Sequence, residues 1–400
     1  MANTFSGNEP ALGYLYQVRY ALFVLLREIE NDPDTSLSLE RLDDVAFETN
    51  GTPRELLQLK HVRRKTASLT DASTDLWKTL RIWSLKSRER TGANLAPLLT
   101  LITTGTAGAG SAAAKLREGP ERDEAGALRL LESVATTSKN VGNVSAYEAF
   151  QALDDGERRE LLHQVRIVDG SPDIGDVRAR TLNKIRVYSP HFEALYSRLE
   201  GWWFQRAIEN LQRDSSTDVI AGVELITQIR ELMSQLQDDN LPNDFPITLY
   251  MDEDDLIERQ RVFVAQLRLV LVSDSRLRLA IGNYYRAYEQ RARWLNEGLL
   301  YPSEIDTYEQ YLEGEWRTQF EIMREELGEL PSEEEMQQLG LRLSRWADTA
   351  ALRPIRPRFM DAGFSRGSYQ VLANDLRIGW HAEFERRLAH LMVEAARSAS

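Results

Sequence analysis

Strand-like patterning in this chain stops near residue 190. Up to that point, short runs alternate apolar and polar residues or read as continuous leucine and threonine stretches. Beyond it, apolar residues recur at the three-to-four spacing of helices. One repeated architecture cannot carry both patterns. The asymmetry predicts an α/β layer domain followed by an all-α one. With 400 residues the chain is long enough for two or three domains, each with its own core.

The order of elements follows from local signals. Asn8-Glu9-Pro10 offers a cap and a proline to a first helix over 11–30. Three short strands are expected at 36–40, 45–49 and 54–61. A Leu42-Asp43-Asp44 corner and an Asn50-Gly51-Thr52-Pro53 turn join them, so they read as an antiparallel meander. A helix over 71–88 leads to 95–104 (LAPLLTLITT), a central strand buried on both faces. Helical pieces at 111–118, 122–138 and 145–154, a strand at 164–168 and a helix over 174–186 complete the first domain, 1–190. Residues 191–239 read as a helical bridge and 240–400 as the all-α domain. Its helices are expected at 253–272, 276–298, 303–328, 332–347 and 380–397. No fixed-period repeat is present.

Composition removes several classes of function. The chain has no cysteine, which excludes disulfides, thiolate metal sites and cysteine nucleophiles. It has no run of some 18 apolar residues for a membrane span and no basic, apolar leader at its start, so it is expected to be cytoplasmic and not membrane-bound. The net charge of −13 is uneven. Residues 1–200 hold 26 basic and 28 acidic side chains, residues 201–400 hold 23 and 34, and the last lysine is Lys184. The first half can present a basic surface to a polyanion; the second suits a protein partner.

Chemistry concentrates in the meander. Strand side chains alternate faces, so Leu57 and Leu59 point one way and Gln58 and Lys60 the other. Glu40 and one of Asp43 or Asp44 are expected to share the Gln58 face, which would lie open while the leucine face packs. Carboxylates and an amide carbonyl are the oxygen ligands that a hard Mg²⁺ or Mn²⁺ ion prefers. Such an ion polarises a phosphoryl oxygen, and a neighbouring lysine adds a second positive charge for the developing anion. The basic run that follows, with His61, Arg63, Arg64 and Lys65, is placed to grip a nucleic-acid backbone. Which of Asp43 and Asp44 shares the Gln58 face depends on the strand phase, which a one-residue slip would change.

The order helix, Glu40, Asp44, turn, Gln58-x-Lys60, helix resembles the PD-(D/E)xK restriction-endonuclease-like superfamily, in the subgroup with glutamine at the second acidic position. The stretches 13–17 (GYLYQ), 39–45 (LERLDDV) and 57–61 (LQLKH) resemble the Cap4-like nuclease domain of bacterial antiphage systems. That resemblance implies a restriction-endonuclease-like α/β domain, a central mixed sheet flanked by helices, that cuts double-stranded DNA with Mg²⁺. It implies Asp44 and Gln58 as metal ligands, Lys60 as the catalytic cation, and Glu40 and Gln17 in support. Further blocks at 240–245 (NLPNDF), 280–294 (AIGNYYRAYEQRARW), Glu315-Trp316, 367–374 (GSYQVLAN) and 378–381 (IGWH) resemble the C-terminal domain of ABC-three-component effectors, the group that includes the Lamassu antiphage systems. This implies an SMC-like ABC ATPase and a small third subunit as partners. It also implies a nuclease held inactive until triggered, with self-association one route to activation.

Other conspicuous features read as structure. Tyr284, Tyr285, Tyr288 and Trp294 suit core and interface anchoring, and the acidic run 252–255 suits a helix start. The five histidines lack ligand spacing, and neither a P-loop nor a serine-hydrolase elbow is present, so an ATPase partner would bring its own nucleotide site. The glutamine at 58 also admits a different class: a catalytically degenerate nuclease fold that binds DNA or a partner as a scaffold. An RNA-cutting nuclease needs only another substrate.

Overall fold

The meander forms as its alternation and turn require. In the computed structural model, β1 (Ser36–Leu39) pairs antiparallel with β2 (Val45–Thr49), and β2 with β3 (Thr52–Lys60); Ser38 faces Ala46 and Val45 faces Leu57. Residues 8–41, 43–49, 52–60, 68–89, 96–213, 218–245 and 261–398 are described. The chain divides into two compact units, 1–230 and 231–400.

In the first unit, helix α1 (Asn8–Glu28) precedes the meander. After β4 (Ser68–Leu69), α2 (Thr74–Glu89) returns the chain so that β5 (Leu98–Thr103) lies parallel to β3. A parallel neighbour needs such a crossover, whereas the β1–β2–β3 turns permit antiparallel pairing directly. Beyond β6 (Thr106–Ala107), the short α3 (Ala112–Lys115), α4 (Glu124–Thr137), α5 (Val144–Gln151) and α6 (Asp155–Gln164) lead to β7 (Val165–Val168), parallel to β5. Then come α7 (Ile174–Ile185), α8 (Phe192–Gln212) and β8 (Ile220–Ala221), which pairs with β1. The sheet is mixed, in the order β7-β5-β3-β2-β1-β8.

Much of the expected helical bridge therefore belongs to the first unit. Its α8 packs on β1 and α1, Trp203 donates its indole N–H to the Val18 carbonyl at 2.7 Å, and β8 closes one sheet edge. Two residues are too few to show a strand pattern. Helix α6 was also unforeseen. Its sequence (DGERRELLHQ) is mostly charged, and an Asp154–Glu157 capping box starts it while only Leu161, Leu162 and Gln164 are buried.

The Gln58 face of the sheet is not open, contrary to expectation. Ala46, Leu56, Leu99 and Leu101 pack there with Leu76, Trp77, Leu80 and Trp83 of α2 and with Tyr147 and Phe150. Leu56 lies two residues from Gln58 and hence on the same side of β3, so apolar burial brings α2 down over that face. Both faces are covered, and within the strands the buried Ser38 and Thr100 hydroxyls pair with Glu48 and Glu55.

The second unit is helical. After α9 (Gly222–Gln235), which crosses the boundary, it holds α10 (Val262–Leu269), α11 (Asp274–Asn296), α12 (Pro302–Glu326), α13 (Glu333–Thr349), α14 (Ala362–Asn374) and α15 (Phe384–Ser398). Gln266, fully buried, bridges three backbone groups: it donates to the carbonyls of Ala373 (2.6 Å) and Ile378 (3.0 Å) and accepts from the Trp380 N–H (3.2 Å). Tyr284, Tyr285 and Trp294 are core residues, while Tyr288 is exposed and stacks on Tyr284. The acidic run 252–255 lies outside the described residues. Among the described residues no helix is long and apolar enough to cross a membrane.

Candidate functional site

Glu40, Asp44, Gln58 and Lys60 lie at one end of the meander. Val45 pairs with Leu57, so Asp44 stands one step further along, opposite Gln58. The Leu59 N–H, which would otherwise lack a partner at the ladder's end, donates to Asp44 Oδ2 at 2.7 Å and fixes that carboxylate in place. The Glu40 N–H donates to the Asp44 carbonyl at 3.1 Å, extending the β1–β2 ladder by one pair. Glu40, Asp44 and Gln58 thus form a row across three neighbouring strands, with half-buried Lys60 two residues along from Gln58. Glu40 closes the row in the left-handed region (φ 52°), a conformation that costs a non-glycine residue about 1 kcal/mol or more.

Asp43 has a different task. Its Oδ2 accepts the Trp83 indole N–H at 2.7 Å and its Oδ1 accepts the Asp44 N–H at 3.2 Å. Both oxygens are engaged, and the residue ties the corner to α2. Asp44 is the carboxylate opposite Gln58.

Gln58 carries the unusual feature. It is 2% exposed, and its Oε1 has no hydrogen-bond partner among the described residues. A buried carbonyl oxygen left unpaired costs about 1–3 kcal/mol. A hard divalent cation takes such an oxygen, together with carboxylates, as ligands, so the donor set at this corner fits Mg²⁺ or Mn²⁺. Among the described residues no three His, Cys, Asp or Glu side chains converge on one point. The set here is two carboxylates and an amide.

Charge is crowded at the corner. Partial burial, then the carboxylates of Asp44 and Asp43, push the Glu40 pKa up, against the pull of Lys60 and Lys86. Burial also raises Asp43, against the Trp83 hydrogen bond and then Lys86. Tyr14 of α1 is raised by burial and by Glu40, which places it near the same carboxylate. A group with a raised folded-state pKa binds its proton more tightly folded than unfolded. Its contribution to stability is complete below the ordinary carboxylate value and is lost as pH rises through the folded value. In metal-free protein, Glu40→Gln is therefore expected to melt at a higher temperature than the wild type at neutral pH, with the gap closing as pH falls through the carboxylate range. Thermal unfolding in EDTA across that range measures it; a gap independent of pH would contradict it.

Not every expected residue joins the row. Gln17 lies one turn beyond Tyr14 on α1 and is half-buried; no hydrogen bond links it to Glu40, Asp44 or Gln58 among the described residues. His61, Arg63, Arg64 and Lys65 lie outside the described residues. Sequence reasoning missed Trp83, Lys86 and Tyr14. The available signal was the Trp83-x-x-Lys86 spacing, which puts a lysine one turn from an inward tryptophan.

Residues 263–388 match the family described as C-terminal domain 7 of the ABC-three component systems. The match lies within the second unit and takes in α11 to α14 whole. It supports a component of an ABC-three-component system. No curated protein and no solved structure matches the chain.

Proposed function

We propose that this chain, whose second unit carries an ABC-three-component C-terminal domain, is a Mg²⁺-dependent endonuclease for double-stranded DNA and the effector of a bacterial antiphage complex of the Lamassu type. The observation that carries the reading is the buried, unpartnered Gln58 Oε1 opposite the Asp44 carboxylate, with Lys60 two residues away. We read the mixed sheet with this corner at its strand ends as restriction-endonuclease-like.

Asp44, Gln58 and Glu40 would hold the cation, which when bound supplies Lewis acidity beside the scissile phosphate. The chain's own groups do the rest. The Leu59 N–H orients Asp44. Asp43, clamped by Trp83, keeps the Asp44 backbone from drifting. Lys60 places an ammonium against the non-bridging oxygens, where charge builds in the transition state, and helps orient the attacking water. The buried surroundings lower the local dielectric and strengthen each of these interactions.

The acidic second unit is read as the docking module for an SMC-like ABC ATPase and a small third subunit. An unrestrained DNase would harm its host, so the resting complex is expected to hold the active arrangement at low population. Partner release or self-association would then shift it.

A second class of function has one observation in its favour: glutamine stands where a third carboxylate would bind metal more tightly. On that reading the chain is a DNA- or partner-binding scaffold. Incubating the full-length chain with linear duplex DNA separates the two. Cutting that needs Mg²⁺ or Mn²⁺ and stops in EDTA supports the nuclease. Absence of cutting at high concentration and with the partner subunits present leaves the scaffold.

A further inference from the structure

We infer that Lys86 is a second phosphate-binding cation of this site, gripping the DNA backbone beside the phosphate that Lys60 serves. The inference rests on the nuclease reading for its substrate. It starts from the lysines themselves. Lys115 and Lys184 are each ion-paired at 2.7 Å, with Asp123 and Glu30, and Lys78 and Lys139 are exposed. Among the described residues, Lys60 and Lys86 alone are half-buried lysines with no ion-pair partner, and both belong to the same corner. With no described carboxylate in direct contact, each ammonium keeps its donors available to an anionic ligand.

The position of Lys86 is fixed by packing. Trp77, Leu80 and Trp83 hold α2 in the core, each 1% exposed or less. The Trp83 indole N–H reaches Asp43 Oδ2 at 2.7 Å, which pins that turn of α2 to the strand ends. Lys86 is one turn further along the same side of the helix. Its field acts on both Glu40 and Asp43, so its ammonium stands within electrostatic reach of the row. Lys60 belongs to β3 and Lys86 to α2, so two separate elements bring an ammonium to the same corner. A lysine ammonium, a compact point charge with three donors, suits a backbone phosphate without reading sequence.

The test uses full-length protein and a linear duplex, with Ca²⁺ replacing Mg²⁺ for binding and Mg²⁺ for cleavage. Lys86→Ala is expected to bind several-fold more weakly and to flatten the dependence of log affinity on log salt by about one phosphate contact. In cleavage KM rises while kcat holds, and Lys86→Arg retains both affinity and slope. A purely structural role for Lys86 would alter thermal stability without moving the salt slope. Wild-type affinity and slope in Lys86→Ala overturn the proposal, as does a wild-type chain that binds no duplex. Duplex binding with a Lys86-dependent slope but no cutting in Mg²⁺ or Mn²⁺ would sink the nuclease reading and leave Lys86 as a phosphate contact.

Discussion

Lys60→Ala is expected to lower Mg²⁺-dependent cleavage of duplex DNA by about 10²–10³-fold, the usual cost of removing one pre-placed positive group from a transition state. The loss should fall on kcat. Lys60 is half-buried and ion-pairs with no described residue, so the fold has little to lose with its ammonium. Thermal unfolding should match the wild type, and the affinity of the C-terminal unit for its partners should be untouched. Lys60 stays at the last position of β3, where its carbonyl accepts from the Thr104 N–H at 3.3 Å, and alanine preserves that backbone contact. Plasmid cleavage by the purified variant at the wild-type rate would remove Lys60 from the chemistry.

Gly367→Leu is expected to unfold the second unit or strip it of cooperative structure. Gly367 lies inside α14 where that helix crosses α11. A Cβ added there would stand 1.9 Å from the Asn283 carbonyl oxygen, 2.6 Å from its carbon and 2.7 Å from Ala287 Cβ. Two of those three are backbone atoms, so neither rotamer change nor side-chain flexing relieves the clash; the two helices must separate. Overpacking of this kind costs about 3 kcal/mol or more. Gly282, one residue before Asn283, is the control: a Cβ there meets nothing within 4 Å. Gly282→Ala should be neutral or stabilise α11 by about 0.5–1 kcal/mol, the ordinary gain of alanine over glycine in a helix. Chemical unfolding of both full-length variants, followed by circular dichroism and protease sensitivity of the second unit, tests the pair. Equal behaviour would mean that the close helix crossing does not hold that unit together.

The same glycine shows why part of the fold stayed illegible. No helix is among those expected between 347 and 380, a stretch in which Gly363 and Gly367 lower helix propensity. Their value lies in tertiary packing against Asn283, which no local pattern announces. The meander was legible because its information is local: a two-residue period in Leu57-Gln58-Leu59-Lys60 and the turn-forming residue types of Asn50-Gly51 in the sequence. That period put Glu40, Gln58 and one of Asp43 or Asp44 on one side, and the family resemblance singled out Asp44.

The openness of the polar face did not follow. The tell was Leu56, which shares a side with Gln58 and needs something apolar over it; Leu56 to Leu59 are all buried. Once α2 is known to cover that side, Trp83 and Lys86 fall into place. A lysine near a helix end otherwise reads as solvated. Asp43 and Asp44 could not be told apart from sequence because a corner has no fixed phase. The Trp83 indole and the Leu59 N–H separate them in space.

The central claim is that Asp44 and Gln58 hold a divalent ion beside Lys60. Titrating the full-length, metal-free chain with Mn²⁺, read by calorimetry and by the manganese electron-spin signal, tests it without relying on cleavage. One site per chain is predicted, strongly weakened in Asp44→Asn and Gln58→Ala and retained in Lys60→Ala. A wild-type chain that takes up no Mn²⁺, or both ligand variants binding as the wild type does, would contradict it.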